Sequence, residues 1–188
     1  MARDNVKLFS ESVDVLKEAY FDDILEHWSC TACLVGNLIA NRLDLKIARD
    51  NEWMTMKTDY EPFILPIHLP KYYWISENGE TVKAQWNHVF NSDMLDVQHR
   101  HPEYYRGEAK RQLDATGFTW QELAEMEFAF ESTKKLKTDT DDDYMFNGLM
   151  RGIEKMADIL NIDLNAKEQA KRPFAMKHKS RKELRNQP

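Results

Sequence analysis

The sequence lacks the features that mark membrane, secreted and fibrous proteins. No stretch approaches 18 consecutive apolar residues, so a transmembrane helix is not expected. The first eight residues contain no apolar core of a secretory signal, and two cysteines among 188 residues predict no disulfide framework. Only six glycines and six prolines are present, which excludes collagen-like and low-complexity chains. These absences predict a cytoplasmic protein without membrane contact.

The hydrophobic content of the sequence is sufficient for one packed core. Hydrophobic residues make up 42% of the chain and aromatic residues 11%, and a chain of this length can bury most of its apolar surface. The net charge of −6 is unevenly distributed, because eight Lys or Arg residues and only two acidic residues fall between positions 166 and 188. We therefore expect a single helical domain over 1–165, followed by a basic C-terminal tail over 166–188.

The basic tail has two interpretations. Its Lys and Arg side chains, at positions 167–185, could contact the phosphates of a nucleic acid, because clustered cations release counterions from the backbone. Alternatively, the tail folds back onto the acidic body. The second interpretation is favoured, because an acidic body repels nucleic acid.

Apolar spacings of three and four residues predict helices in both halves of the chain. One such pattern covers 12–28 and a second covers 33–43. In the last third, Thr119 and Glu122 have the spacing of a capping box that opens a helix. A further helix is expected to begin at 141–143, where acidic residues favour a helix N-terminus.

The centre of the chain carries the clearest strand signal. Short alternating runs flank Asn78 and Gly79, the preferred pair for a two-residue type I′ turn because both positions need positive φ. Such a turn places Ile75 opposite Val82. The chain is therefore predicted to be mainly α, a helical bundle with one inserted β-hairpin at about 72–86.

Tyr72 and Trp74 share one face of this predicted hairpin. Aromatic side chains anchor interfaces because they bury a large area at low entropic cost. No complete catalytic set is evident and no cofactor is expected. The sequence thus predicts a non-catalytic binding protein, in which partly exposed Tyr72 and Trp74 contact a host protein or a second copy of the chain.

A zinc site is one alternative. His27, Cys30 and Cys33 recur every three residues, and on one helix face two thiolates could meet a single ion. His99 and His101 could complete the tetrahedron. A redox-active cysteine pair is also open, although no βαβ pattern of a thioredoxin-like site surrounds it. The preferred interpretation is that both cysteines are small buried side chains.

A magnesium site is a second alternative. Glu122 and Glu125 lie on one predicted helix and Glu154 and Asp158 on the next, and antiparallel packing could bring their carboxylates to one Mg²⁺. The pattern resembles the all-α nucleotide pyrophosphohydrolases, which implies magnesium-dependent nucleotide hydrolysis. The second pair is spaced by four residues, whereas that family spaces it by three. A solvated helix face is the favoured interpretation.

Two segments resemble an uncharacterised group of small proteins from Bacteroidota and their phages. One has the pattern C-x-x-C-x-V-G-N from Cys30 onward, and the other is F-N-G-L from Phe146 onward. The resemblance implies an intracellular accessory protein encoded by a phage or mobile element, without a known activity. It also implies that five residues belong to one structural unit: Cys30, Cys33, Asn37, Asn147 and Gly148.

Overall fold

The computed structural model describes residues 3–27, 29–50, 54–55, 66–67, 71–90 and 100–185. These residues form six α-helices: α1 Asn5–Phe21, α2 Leu34–Arg42, α3 Gly107–Asp114, α4 Trp120–Glu131, α5 Asp141–Leu160 and α6 Leu164–Arg185. Short 3-10 helices span Trp86–His88 and Pro102–Tyr104. The five strands are β1 Lys46–Asp50, β2 Met54–Thr55, β3 Pro66–Ile67, β4 Lys71–Ile75 and β5 Thr81–Val82. The prediction of a mainly α fold with a small β insertion is confirmed.

Helices α4 and α5 form the centre of the bundle and bury apolar stripes against each other. Both helices begin at a capping box, with Thr119 capping α4 and Thr140 capping α5. Asn161 ends α5 in the left-handed conformation, with φ of 55°. The largest fully buried side chains of the described residues come from all six helices and from the sheet region: Leu16, Tyr20, Leu34, Ile39, Trp74, Trp86, Leu113, Leu123, Met126, Phe130, Leu149 and Phe174.

The first helix is shorter than its apolar pattern predicts. Helix α1 ends at Phe21, and Asp23 adopts a left-handed φ of 56°, which turns the chain away from the helix axis. Residues 24–27 and 29–33 therefore lie outside the helices, and the expectation that His27 and the two cysteines share one helix face is wrong.

The hairpin differs from the predicted register by one residue. Ile75 lies opposite Thr81 rather than Val82, so the loop has three residues instead of two. Gly79 ends this loop with φ of 84°, and its N–H donates to the carbonyl of Ser76 at 2.9 Å. This is the three-residue loop in which a type I turn is followed by a left-handed glycine.

The three-residue loop predicts unequal effects of alanine at its last two positions. Gly79→Ala should destabilise the protein by about 1–2 kcal/mol, because a Cβ disfavours left-handed φ. Asn78, which is not at positive φ, should lose only the exposed hydrogen bonds that its side-chain oxygen accepts from the Ser76 hydroxyl and the N–H of Glu80, so Asn78→Ala should cost less. Urea unfolding of the two variants measures the difference. Equal losses would support the two-residue turn instead.

The sheet contains a strand that the sequence pattern misses. Residues Lys46–Asp50 fall in a segment with little periodicity, yet they pair antiparallel with β4 in a sheet of order β1-β4-β5. Strand β4 is thus the central strand, and its inner face packs on the helices.

Residues of the predicted basic tail form α6, which packs on α1 and α5. Phe174 is completely buried, and its ring centroid lies 6.0 Å from that of Tyr20. One turn further on, the ring nitrogens of His178 lie 3.2 Å from the carboxylate of Asp142 and 3.0 Å from that of Asp143.

Several basic side chains of α6 form ion pairs with acidic side chains of α5. Ion pairs join α6 to α5 through Lys167–Asp158 at 3.3 Å, Lys171–Glu154 at 2.8 Å, Arg181–Asp142 at 2.8 Å and Lys182–Asp143 at 2.6 Å. Exposed pairs of this kind contribute little stability individually. They do reduce the positive charge that α6 presents to a nucleic acid. Among the described residues, no helix is both long and apolar enough to cross a membrane.

Candidate functional site: the cysteine turn and the groove between α1 and α6

Residues 29–33 form a tight turn that leads into α2. The N–H of Cys33 donates to the carbonyl of Ser29 at 2.8 Å, and the Cys33 sulfur caps α2 by accepting from the N–H of Gly36 at 3.3 Å. A Cβ at Gly36 would lie 2.6 Å from the carbonyl oxygen of Cys30. Position 36 therefore requires glycine, because a larger residue would clash with the backbone of the turn.

Side-chain N–H groups donate hydrogen bonds to every backbone carbonyl of this turn from Cys30 to Cys33. The indole N–H of Trp86 donates to the first carbonyl at 3.0 Å, and that of Trp74 donates to the second at 2.9 Å. The side-chain amide of Asn37 donates to the last two, at 2.7 and 2.9 Å. Buried carbonyls need such donors, so the turn is fixed by the nearby Asn37 and by two indoles that are distant in sequence.

The expectation that Tyr72 and Trp74 are partly exposed is wrong. Their exposed fractions are 8% and 0%, because the inner face of β4 packs on the core. The indole of Trp74 donates a hydrogen bond to the turn, and the Tyr72 side chain forms a hydrogen bond with the side chain of Glu26. The hairpin therefore offers no aromatic contact surface through these two rings.

Four buried ionisable side chains come together beneath the turn: His27, Cys33, Glu127 and Glu131. Nδ1 of His27 lies 2.9 Å from Oε2 of Glu131. Oε2 of Glu127 accepts from the N–H of Val35 at 3.1 Å, and the Cys33 thiol lies beside the same carboxyl. Oε1 of Glu127 is buried and makes no hydrogen bond within the described residues.

The imidazole of His27 is held between two aromatic rings. Its centroid lies 4.1 Å from that of Phe130 and 4.2 Å from that of Tyr144, both in stacked orientations. On a third side, a Cβ at Gly148 would lie 2.5 Å from Cε1 of the imidazole. Asn147, the neighbour of this glycine, is exposed.

Burial sets the protonation states of the cluster. It raises the pKa of Glu127 to about 8, with the negative charge of Glu131 adding to the effect. Burial also raises the pKa of the Cys33 thiol and lowers that of His27 to about 4. At neutral pH the Glu127 carboxyl and the thiol therefore carry their protons, while His27 is neutral.

The predicted zinc ligands that the structure describes do not assemble into a metal site. Cys30 and Cys33 share the turn, but His27 is engaged by a buried carboxylate and His101 is exposed. His99 lies outside the described residues. Within the part of the chain that the structure describes, no group of three or more His, Cys, Asp or Glu side chains is placed to hold a metal ion.

The four predicted magnesium ligands also do not form such a group. Each carboxylate lies near a basic side chain instead: Glu122 near Arg3 at 2.7 Å, Glu125 near Lys155 at 3.9 Å, Glu154 near Lys171 at 2.8 Å and Asp158 near Lys167 at 3.3 Å. The second pair of carboxylates is directed toward α6, and Glu122 toward the N-terminus.

A groove of about 480 Å³ lies between α1 and the first half of α6. Pro173 in its wall has no N–H, so the carbonyl of Gln169 lacks its helical donor. Val6 on α1 is 70% exposed, and Leu164 at the start of α6 is 67% exposed. The apolar lining residues include Val6, Phe9, Val13, Ile162, Ala166 and Ala170.

Comparison of the chain with protein-family models, with curated proteins and with solved structures found no match.

Proposed function

We propose that this chain is a non-catalytic cytoplasmic binding protein of phage or mobile-element origin, which associates with a second copy of itself. The observation that carries the proposal is the groove between α1 and α6, whose apolar lining includes the strongly exposed side chain of Val6. Exposed apolar surface that lines a groove is typical of interaction sites. The resemblance to phage-associated proteins supports the origin.

A second copy is the proposed occupant because one surface carries both an exposed apolar side chain and the groove that could receive it. In a two-fold dimer the same patch contacts itself, so Val6 of each copy would enter the groove of the other. The rim also carries charges of both signs, Lys17 on α1 and Asp163 before α6. A two-fold arrangement could pair them between copies.

Substitution of the exposed apolar residues tests this proposal. The wild-type chain should sediment as a dimer of 22.2 kDa subunits, and Val6→Glu or Ala166→Glu should shift it to the monomer. Val6 is exposed and Ala166 is half-buried at the groove surface, so both variants should fold. Analytical ultracentrifugation over a range of protein concentrations measures the shift.

Leu136→Glu is the matched control, since Leu136 is 61% exposed and lies in the loop between α4 and α5. It should leave the dimer intact. A wild-type chain that remains monomeric at high concentration would contradict self-association. A dimer that survives both groove substitutions would show that a different surface is used.

A further inference from the structure

We propose that Cys30 and Cys33 form a redox-active dithiol, with the Glu127 carboxylate as the proton acceptor for Cys33. This inference is independent of the groove between α1 and α6. It rests on the geometry of the cysteine turn, on the unequal burial of the two thiols and on the carboxyl beside one of them.

The turn brings the two cysteines within range of a disulfide. The hydrogen bond from the N–H of Cys33 to the carbonyl of Ser29 closes a single turn around Cys30. Residues three apart in such a turn have Cα atoms within about 7 Å, and disulfides join Cα atoms at about 4.4–6.8 Å.

The two thiols have different environments, which assigns them different roles. Cys30 is half-buried, whereas Cys33 is completely buried at the N-terminus of α2. An incoming disulfide can therefore reach Cys30 and not Cys33. Cys30 is the entry cysteine, and Cys33 is the resolving cysteine that completes the bond.

Glu127 provides a proton acceptor beside the buried resolving thiol of Cys33. A thiol reacts as its thiolate, and burial raises the pKa of Cys33. The Glu127 carboxyl lies beside this thiol, has an oxygen without a hydrogen bond in the described residues, and has a pKa raised to about 8. Only the ionised carboxylate can take the thiol proton as the sulfur attacks, so this step requires a pH near or above the pKa of Glu127.

The reaction balances with a small-molecule disulfide as the oxidant. The Cys30 thiolate attacks one sulfur of glutathione disulfide, which forms a mixed disulfide and releases one glutathione. Cys33 then attacks the Cys30 sulfur, and its proton passes to the ionised Glu127 carboxylate. The second glutathione leaves as a thiolate that takes a proton from solvent, and Glu127 returns its proton to solvent. The protein loses two hydrogens, and the oxidant becomes two glutathione molecules.

Oxidation of the folded full-length chain tests the assignment. After treatment with glutathione disulfide at a pH above the pKa of Glu127, followed by acid quenching, intact-mass measurement should show loss of two hydrogens without a bound glutathione, reversed by dithiothreitol. Cys33→Ser should instead keep one glutathione on Cys30. A wild-type chain that stays unmodified, or that stops at the mixed disulfide, would overturn the proposal.

A second pair of variants tests the role of Glu127. Glu127→Gln should convert the mixed disulfide to the internal disulfide roughly tenfold more slowly or worse, because general-base assistance is lost. Glu125→Gln, on the exposed side of the same helix, should match the wild type. Circular dichroism confirms that each variant is folded. Equal rates in Glu127→Gln and the wild type would remove Glu127 from the mechanism.

Discussion

Gly148→Ala should be among the most destabilising single substitutions in α5. The added Cβ would lie 2.5 Å from Cε1 of His27 and 2.9 Å from the carbonyl oxygen of Phe130. Neither atom can move away easily, because His27 is stacked between Phe130 and Tyr144. Overpacking of this kind costs about 1–3 kcal/mol or more. Urea unfolding should show this loss even though alanine is the better helix former.

Two comparisons make this prediction specific to the His27 contact. Asn147→Ala, at the exposed neighbouring position, should change stability by no more than about 0.5 kcal/mol. In a His27→Ala background, the additional cost of Gly148→Ala should be smaller, because one of the clashing groups is gone. If Gly148→Ala is neutral, the close approach of α5 to His27 is not as the structure places it.

Glu127→Gln should stabilise the protein at alkaline pH. The folded pKa of Glu127 is about 8 against an ordinary value of 4.5, so unfolding releases a proton between these values and wild-type stability falls as pH rises through them. His27 acts in the opposite sense. Its folded pKa is about 4 against an ordinary 6.5, so its contribution makes stability rise with pH between 4 and 6.5.

Below pH 6.5 the effects of Glu127 and His27 ionisation on the free energy of unfolding offset each other. Above pH 6.5 only the effect of Glu127 remains. Wild-type stability should therefore fall by about 2 kcal/mol between pH 6.5 and 8, since each pKa unit is worth about 1.4 kcal/mol. The glutamine variant should show no such fall and should instead rise from pH 4 to 6.5 and then level off. Glu125→Gln serves as the control. Parallel pH profiles for the wild type and Glu127→Gln would show that Glu127 ionises normally.

The helices were the most predictable part of the fold, because their signals are local. Thr119 and Glu122 have the spacing of a capping box, and both of its hydrogen bonds are present. The apolar stripe of α5 follows the helical period and ends at Asn161, which can adopt the left-handed conformation at little cost. Such features depend on neighbours within a few residues.

The hairpin shows where local signals fail. Asn78 and Gly79 suit a two-residue turn, but they also suit the last two positions of a three-residue loop. The alternation of Tyr72 and Trp74 places both on one face, and local sequence does not tell which face meets the core. That choice depends on the helices, and on the donors that the carbonyls of residues 30–33 require.

The sequence contains a signal for the buried cluster of His27, Cys33, Glu127 and Glu131, but the other charged residues of α4 make it hard to recognise. Glu127 and Glu131 are spaced by four residues, and both lie on the face of α4 that also carries Leu123 and Phe130. Carboxylates on an apolar stripe are unusual and indicate a buried polar network. Their partners, His27 and Cys33, could not be identified from sequence, because the loop that positions them has no periodicity.

The proposed pairing of two copies through the groove is tested most directly by an isotope-filtered NMR experiment. A sample is prepared from equal amounts of carbon-13-labelled and unlabelled chain, and only contacts between the two kinds of chain are recorded. We predict intermolecular contacts from the methyl groups of Val6 to those of Ala166 and Ala170. A spectrum in which these methyl groups show contacts only within one chain would contradict the account.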